Sequence, residues 1–213
     1  MRITSIRKKR SDVEIVFEDQ SKIIVGYKVV IDNGLRRNDD LTETQINGLL
    51  TQTEKLKIKD SAFRLLGRRA HSVFEISQKL SRKGYRKDLI EIIVLDLKKD
   101  NYLNDNTFSQ AFVNERSAKR KSGINKIKAE LIRKGVNQKV IEFALAGIDK
   151  TSSESTAFEL AAKKLKSLKQ KENDNRKIKQ KISAFLFSKG FETEIIFKVV
   201  NQLKLEEDDF IDL

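Results

Sequence analysis

Nine cations crowd the stretch from Arg116 to Lys139: Arg116, Lys119, Arg120, Lys121, Lys126, Lys128, Arg133, Lys134 and Lys139 share it with a single acid, Glu130. Charges on a solvated helix normally alternate in sign, so a run this one-sided has the chemistry of a polyanion-binding surface. On a continuous α-helix Arg116, Lys119 and Arg120 fall at i, i+3 and i+4, and three mutually repelling cations on one face are sustained most readily by an external polyanion. A second stripe holds Lys163, Lys164, Lys166, Lys169 and Lys171, then Arg176, Lys177, Lys179 and Lys181. It lies beside an insertion and reads as a solvated loop as readily as a contact.

Groups for covalent or metal chemistry are scarce. The chain has no cysteine and one histidine, His71, which removes disulfides, thiolates and Cys-based zinc sites and leaves triads or HExxH sites without a partner imidazole. His71 is expected as a surface or cap residue with no catalytic role. Asn104-Asp-Asn106 lacks the spacing and closing Glu of a calcium loop and reads as an N-cap and turn. Glu206-Glu-Asp-Asp209 reads as a solvated acidic tail, with divalent-ion binding as its alternative. A nuclease would need clustered carboxylates for Mg²⁺, and these acids are scattered or terminal. The expectation is therefore a binding protein, not an enzyme, with no cofactor and no metal. No GxxxxGK[ST] loop, GxGxxG or aromatic RNA-binding motif is present, and the Phe residues are expected on apolar faces.

The charge surplus is +13, from 44 Lys and Arg against 31 Asp and Glu, which favours nucleic acid as the partner. It is uneven: residues 1–60 carry 12 basic and 10 acidic side chains, residues 61–150 carry 20 and 10, and residues 151–213 carry 12 and 11. No apolar run approaches the roughly 18 residues of a membrane span, and the first residues lack a signal-peptide core, so a cytoplasmic protein is expected. Proline is absent, which permits long helices throughout.

The elements that must carry these cations follow from periodicity. Val13, Ile15 and Phe17 alternate with Glu14 and Val16, and Glu18-Asp-Gln-Ser21 supplies a turn before Lys22-Ile-Ile-Val25, predicting a small antiparallel sheet. Tyr27 to Ile31 fits a last strand or a helical turn. From Leu41 the period becomes helical: Thr42 and Gln45 have capping-box spacing, and Ile46, Leu49, Leu50, Thr53 and Leu56 form one face.

An internal repeat emerges on aligning Lys83-Gly84, Lys134-Gly135 and Lys189-Gly190. Seven apolar columns then fall in register: Ile76, Ile127 and Ile182; Leu80, Leu131 and Leu186; Tyr85, Val136 and Phe191; Leu89, Val140 and Ile195; Ile90, Ile141 and Ile196; Val94, Leu145 and Val200; Leu97, Ile148 and Leu203. Each unit reads as helix, glycine turn, helix, because glycine adopts the left-handed conformation that ends a helix without a Cβ penalty. A further helix precedes each pair, over Ala62 to Arg68, Phe108 to Lys121 and Ala157 to Leu168, with Lys169 to Arg176 as an insertion in the third unit's first loop. Ser72 and Glu75 are expected to cap the second helix of unit one. The fold expected is mainly α, with tandem three-helix repeats stacked into an elongated body behind a small N-terminal β-containing segment. Its divisions are 1–60, 61–106, 107–150 and 151–213.

These residues resemble the RecX family, whose members regulate the RecA recombinase. The likeness rests on Arg69-x-His-Ser72-x-x-Glu75-Ile76-x-x-Lys79-Leu80-x-x-Lys83-Gly84-Tyr85, on Tyr102-Leu103-Asn104-Asp105-x-x-Phe108, on Val113-x-x-Arg116, and on Gly123-x-x-x-Ile127-x-x-Glu130-Leu131-x-x-Lys134-Gly135. The strands, Gly34-Leu35-Arg36 and the helix after them are similar to the additional N-terminal segment of the family's longer members. Asn104 departs from the family's usual Asp, and the chain stops shortly after the third unit where longer relatives continue. The resemblance implies a non-enzymatic modulator, expected as a monomer, that lodges in the groove of the RecA filament on single-stranded DNA and hinders ATP hydrolysis and strand exchange. Candidate contacts are the basic positions Arg68, Arg69, Arg82, Lys83, Arg116, Lys119, Arg120, Lys121, Lys126, Arg133 and Lys134, chosen for charge and not carried over from the family.

Overall fold

The computed structural model describes residues 1–203, so the acidic run Glu206–Asp209 lies outside the described residues. The alternating N-terminal segment forms three antiparallel strands in the order β1 (Ile3–Lys9), β2 (Asp12–Phe17), β3 (Lys22–Gly26). Val13, Ile15 and Phe17 share the buried face, as the period of two requires. Asp19 shapes the turn between β2 and β3 by accepting from the Ser21 amide at 3.0 Å and hydroxyl at 2.6 Å. Tyr27 onward is helix, not strand: α1 (Tyr27–Asp32) buries Val29 and Val30 beneath the sheet.

Helix α2 (Glu43–Leu66) opens on the capping box of Thr42 and Gln45 and runs 24 residues without a break. Its first half buries Ile46 and Leu49 against the sheet, where Thr53 accepts from the Gly26 amide at 3.0 Å. Its second half buries Ile58 and Ala62 among the repeat residues. The helix expected over Ala62 to Arg68 is thus the C-terminal end of α2 and stops at Leu66.

The remaining helices are α3 (Val73–Ser81), α4 (Lys87–Lys99), α5 (Asp105–Asn114), α6 (Ile124–Arg133), α7 (Gln138–Leu145), α8 (Lys150–Lys169), α9 (Asn175–Lys189) and α10 (Thr193–Gln202). Ser72 and Glu75 form the reciprocal cap of α3, and Asn104 caps α5 by accepting from the Asn106 and Thr107 amides. The protein is mainly helical, with tandem three-helix units behind a small sheet. Gly84, Gly135 and Gly190 all have positive φ, at 84°, 69° and 85°. The residue after each glycine returns onto the finished helix: Val136 and Phe191 are buried, while the half-buried Tyr85 shares a hydrogen bond with Ser61 at 2.9 Å. The first two apolar columns are completely buried, and each such Ile or Leu contributes roughly 1.5–3 kcal/mol.

Of the residues read as an insertion, Lys169, Asn175 and Arg176 are helical, and residues 170–174 connect α8 to α9. α8 reaches Lys169, and α9 has 15 residues where α3 has 9 and α6 has 10. Asp174 accepts from the Arg176 and Lys177 amides, and Ile178 packs into the core, so the added chain becomes an extra turn instead of a longer loop.

The chain divides into two compact units, Met1–Leu103 and the residues from Asn104 onward. Inside the second, α6 and α9 meet backbone to backbone. The Gly123 amide donates to the Lys189 carbonyl at 2.9 Å and the Asn125 amide to the Gly190 carbonyl at 3.0 Å. The orphan donors starting α6 are thereby satisfied by the orphan acceptors ending α9.

Candidate nucleic-acid interface

Helix α5 does not continue to Lys121 as an α-helix: residues Glu115–Lys119 form a π-turn, in which the Arg120 amide reaches the Glu115 carbonyl at 3.2 Å. The wider turn breaks the i, i+3, i+4 register that was to align Arg116, Lys119 and Arg120. Arg116 turns inward. Its Nε donates to Glu130 at 2.7 Å, its guanidinium lies 4.7 Å from the centre of the Phe112 ring, and its side chain is only 24% exposed. The one acid of the basic run therefore neutralises the first cation of the expected stripe, and Arg116 ties α6 to the end of α5. Arg120 stands 3.8 Å from Glu115. Lys121 donates to both oxygens of Glu159 on α8, at 2.5 and 2.6 Å, and this hydrogen bond holds the Glu159 carboxyl below its usual range.

Other candidates are also engaged. Arg69 forks onto Glu75 through two 3.1 Å bonds and donates to the Ala70 carbonyl, so it fixes the approach to α3. Lys134 sits over the Phe108 and Phe112 rings at 5.8 and 5.3 Å. Lys126 is half-buried where α6 meets Gly190. Arg68, Arg82, Lys83, Lys119 and Arg133 remain exposed, and none makes an ion pair with a described residue.

These cations gather at the two ends of the second helix of a repeat. Arg68 precedes α3, which is about 14 Å long, and Arg82 and Lys83 follow its far end. Lys119 and Lys121 precede α6, which is about 15 Å long, and Arg133 is its last residue. Arg176 and Lys177 stand in the first turn of α9, with Lys189 at its last residue. Cations at a helix C-terminus are stabilised by the macrodipole, but those at the N-terminus work against it, so only the former have a purely structural reason to be there.

His71 is buried, not superficial. Its Nδ1 is 2.9 Å from the Arg69 carbonyl, which can only accept, so Nδ1 carries the hydrogen. Burial is the main cause that pushes its pKa below the usual imidazole value, and the Arg69 hydrogen bond opposes it. Among the described residues no group of three or more acidic, histidine or cysteine side chains could hold a metal ion. Several phenylalanines depart from the apolar faces expected of them: Phe143 is 74% exposed, and Phe187 and Phe197 are each 70% exposed. Composition could not distinguish these from core phenylalanines, because each lies within one or two positions of a buried residue on the same helix.

Family models described as RecX first, second and third three-helix domain match residues 59–97, 104–145 and 153–200. A protein named Regulatory protein RecX from Clostridium perfringens is 31% identical over 209 residues, covering 97% of this chain and 98% of that protein. One from Clostridioides difficile is 32% identical over 204 residues, 94% of this chain and 95% of that protein. A crystal structure of regulatory protein RecX superposes with a TM-score of 0.74 at 21% identity, over 94% of this chain and 99% of that one. Another, of RecX from Lactobacillus salivarius, gives 0.64 at 23% identity over 70% and 96%. Three successive domain matches in the order of the glycine turns, and relatives alike from end to end, show that the chain belongs to the RecX family of regulatory proteins.

Proposed function

We propose that the chain is a non-catalytic regulator that binds, as a monomer in the cytoplasm, to the RecA recombinase filament on single-stranded DNA and slows its ATP hydrolysis and strand exchange. The observation that carries this reading is the set of cations at the ends of the second helices that have no acidic partner among the described residues: Arg68, Arg82, Lys83, Lys119 and Arg133. The relatives' shared name of regulatory protein supports it. Contacts of such cations with phosphate or acidic protein surface weaken with salt. Among the described residues no helix is long and apolar enough to cross a membrane.

Added to RecA on single-stranded DNA, the purified protein slows ATP hydrolysis at or below one copy per recombinase subunit. Unchanged hydrolysis at low salt overturns the reading. The net charge of +13 favours a second one, a basic nucleic-acid binder without recombinase preference. Equal affinity for DNA with and without recombinase selects it.

A further inference from the structure

We infer that the outer face of α9 is a stacking surface for single-stranded nucleic acid, with Phe187 taking a base and Arg176 and Lys179 taking phosphates. This rests on the nucleic-acid part of the function proposed above and gives it a location. Arg176, Lys179, Gln180, Ser183 and Phe187 fall at i, i+3, i+4, i+7 and i+11, on one side of the helix, while Ile178, Ile182 and Leu186 fill the core on the other. The exposed side spans about 16 Å and contains no acid. Asn175, Arg176, Lys179, Gln180 and Ser183 line a shallow depression along it.

Two features of this face serve no purpose in the fold. Arg176 belongs to the extra turn of α9 and sits in a first turn that has no acid, where the macrodipole opposes it. Neither it nor Lys179 forms an ion pair with a described residue. Phe187 stands three residues before its glycine, where the first unit has the exposed Ser81, so the repeat does not require an aromatic there. Its ring is nonetheless 70% exposed to water. Ile132 holds the same place in the second unit and is 52% exposed, but it has no π face, so at this position of the repeat only α9 offers a ring. A flat ring in line with unpaired cations is the arrangement by which proteins hold single strands: stacking tolerates any base, and the cations follow the backbone. A duplex keeps its base faces covered, and an acidic protein would use the cations while leaving the ring idle.

Fluorescence anisotropy with labelled oligothymidylate tests the inference, using the full chain. Phe187→Ala weakens binding roughly tenfold, Phe187→Trp restores it, and an abasic oligomer of equal length binds wild type and Phe187→Ala alike. Arg176→Ala and Lys179→Ala each lower the salt slope by about 0.7, whereas Phe187→Ala leaves that slope unchanged. Wild-type affinity in Phe187→Ala, or an equal loss on intact and abasic strands, overturns the inference. Recombinase ATP hydrolysis measured on the same variants separates the two readings. A Phe187→Ala protein that binds oligothymidylate normally but no longer slows hydrolysis makes α9 a protein-docking face, and the inference fails while the filament reading stands. A protein that loses oligothymidylate binding while the wild type has no effect on hydrolysis leaves the inference standing and removes the filament reading.

Discussion

Removing Arg116 leaves the Glu130 carboxylate, only 17% exposed, without the guanidinium 2.7 Å away. A half-buried charge that loses its partner costs more than the pair contributes. Arg116→Ala is therefore expected to lower stability by about 1–3 kcal/mol in denaturant melts, and Arg116→Ala with Glu130→Ala to show a coupling on the order of 1 kcal/mol. Lys119→Ala, exposed and unpaired, should change stability by less than about 0.5 kcal/mol while weakening binding to DNA or filament. Replacing Arg116, Lys119 and Arg120 together would mix a folding defect into a binding test, so Lys119 is the clean probe. Little of this was legible in the sequence. Arg116 and Glu130 are 14 positions apart, Lys121 and Glu159 are 38 apart, and good helix formers across Glu115–Lys119 hide the π-turn. Charge counting finds cations but not which of them are already neutralised.

The glycine turns were legible because a helix end needs a backbone conformation that one residue type supplies cheaply, and the seven apolar columns because a core needs the same volumes in each unit. What the aligned repeats could not reveal is that a glycine of the second repeat, Gly123, meets Gly190 of the third. A Cβ at Gly84 would find open space and face only the positive φ. A Cβ on Gly123, whose φ is ordinary, would collide with the Gly190 backbone, and one on Gly190 would meet Lys126 as well as the φ penalty. The expected order of destabilisation is Gly84→Ala at about 1 kcal/mol, Gly123→Ala at about 2–3 kcal/mol, and Gly190→Ala largest. Thermal melts of the three variants check the order. A Gly84→Ala protein as unstable as Gly190→Ala would show that close approach contributes nothing. Helix α2 was divided in two by sequence reasoning for a different cause. Its buried positions run Ile46, Leu49, Thr53 and then Ile58, Ala62, so the apolar stripe turns by roughly 150° midway, and a single helical period reads as two helices.

Two compact units, each containing its own pair of hydrophobic clusters, make up the molecule: the sheet and first repeat in one, the second and third repeats in the other. Residues 1–103 expressed alone are expected to melt cooperatively with the helical signal of α1 to α4, as followed by circular dichroism. A fragment without a transition would mean that the core of the first unit depends on the second. Cutting instead at residue 60, where the repeat suggested a boundary, would sever α2 between Ile58 and Ala62 and is expected to abolish the cooperative melting of the first repeat, whose core the cut divides. Because this one rod serves two cores on differently angled sides, every residue between Thr53 and Ile58 sets the angle at which the sheet meets the first repeat. Natural drift can exchange side chains along that stretch, but adding or losing a single codon would swing one core through about 100° against the other, so its length is the trait selection must keep constant.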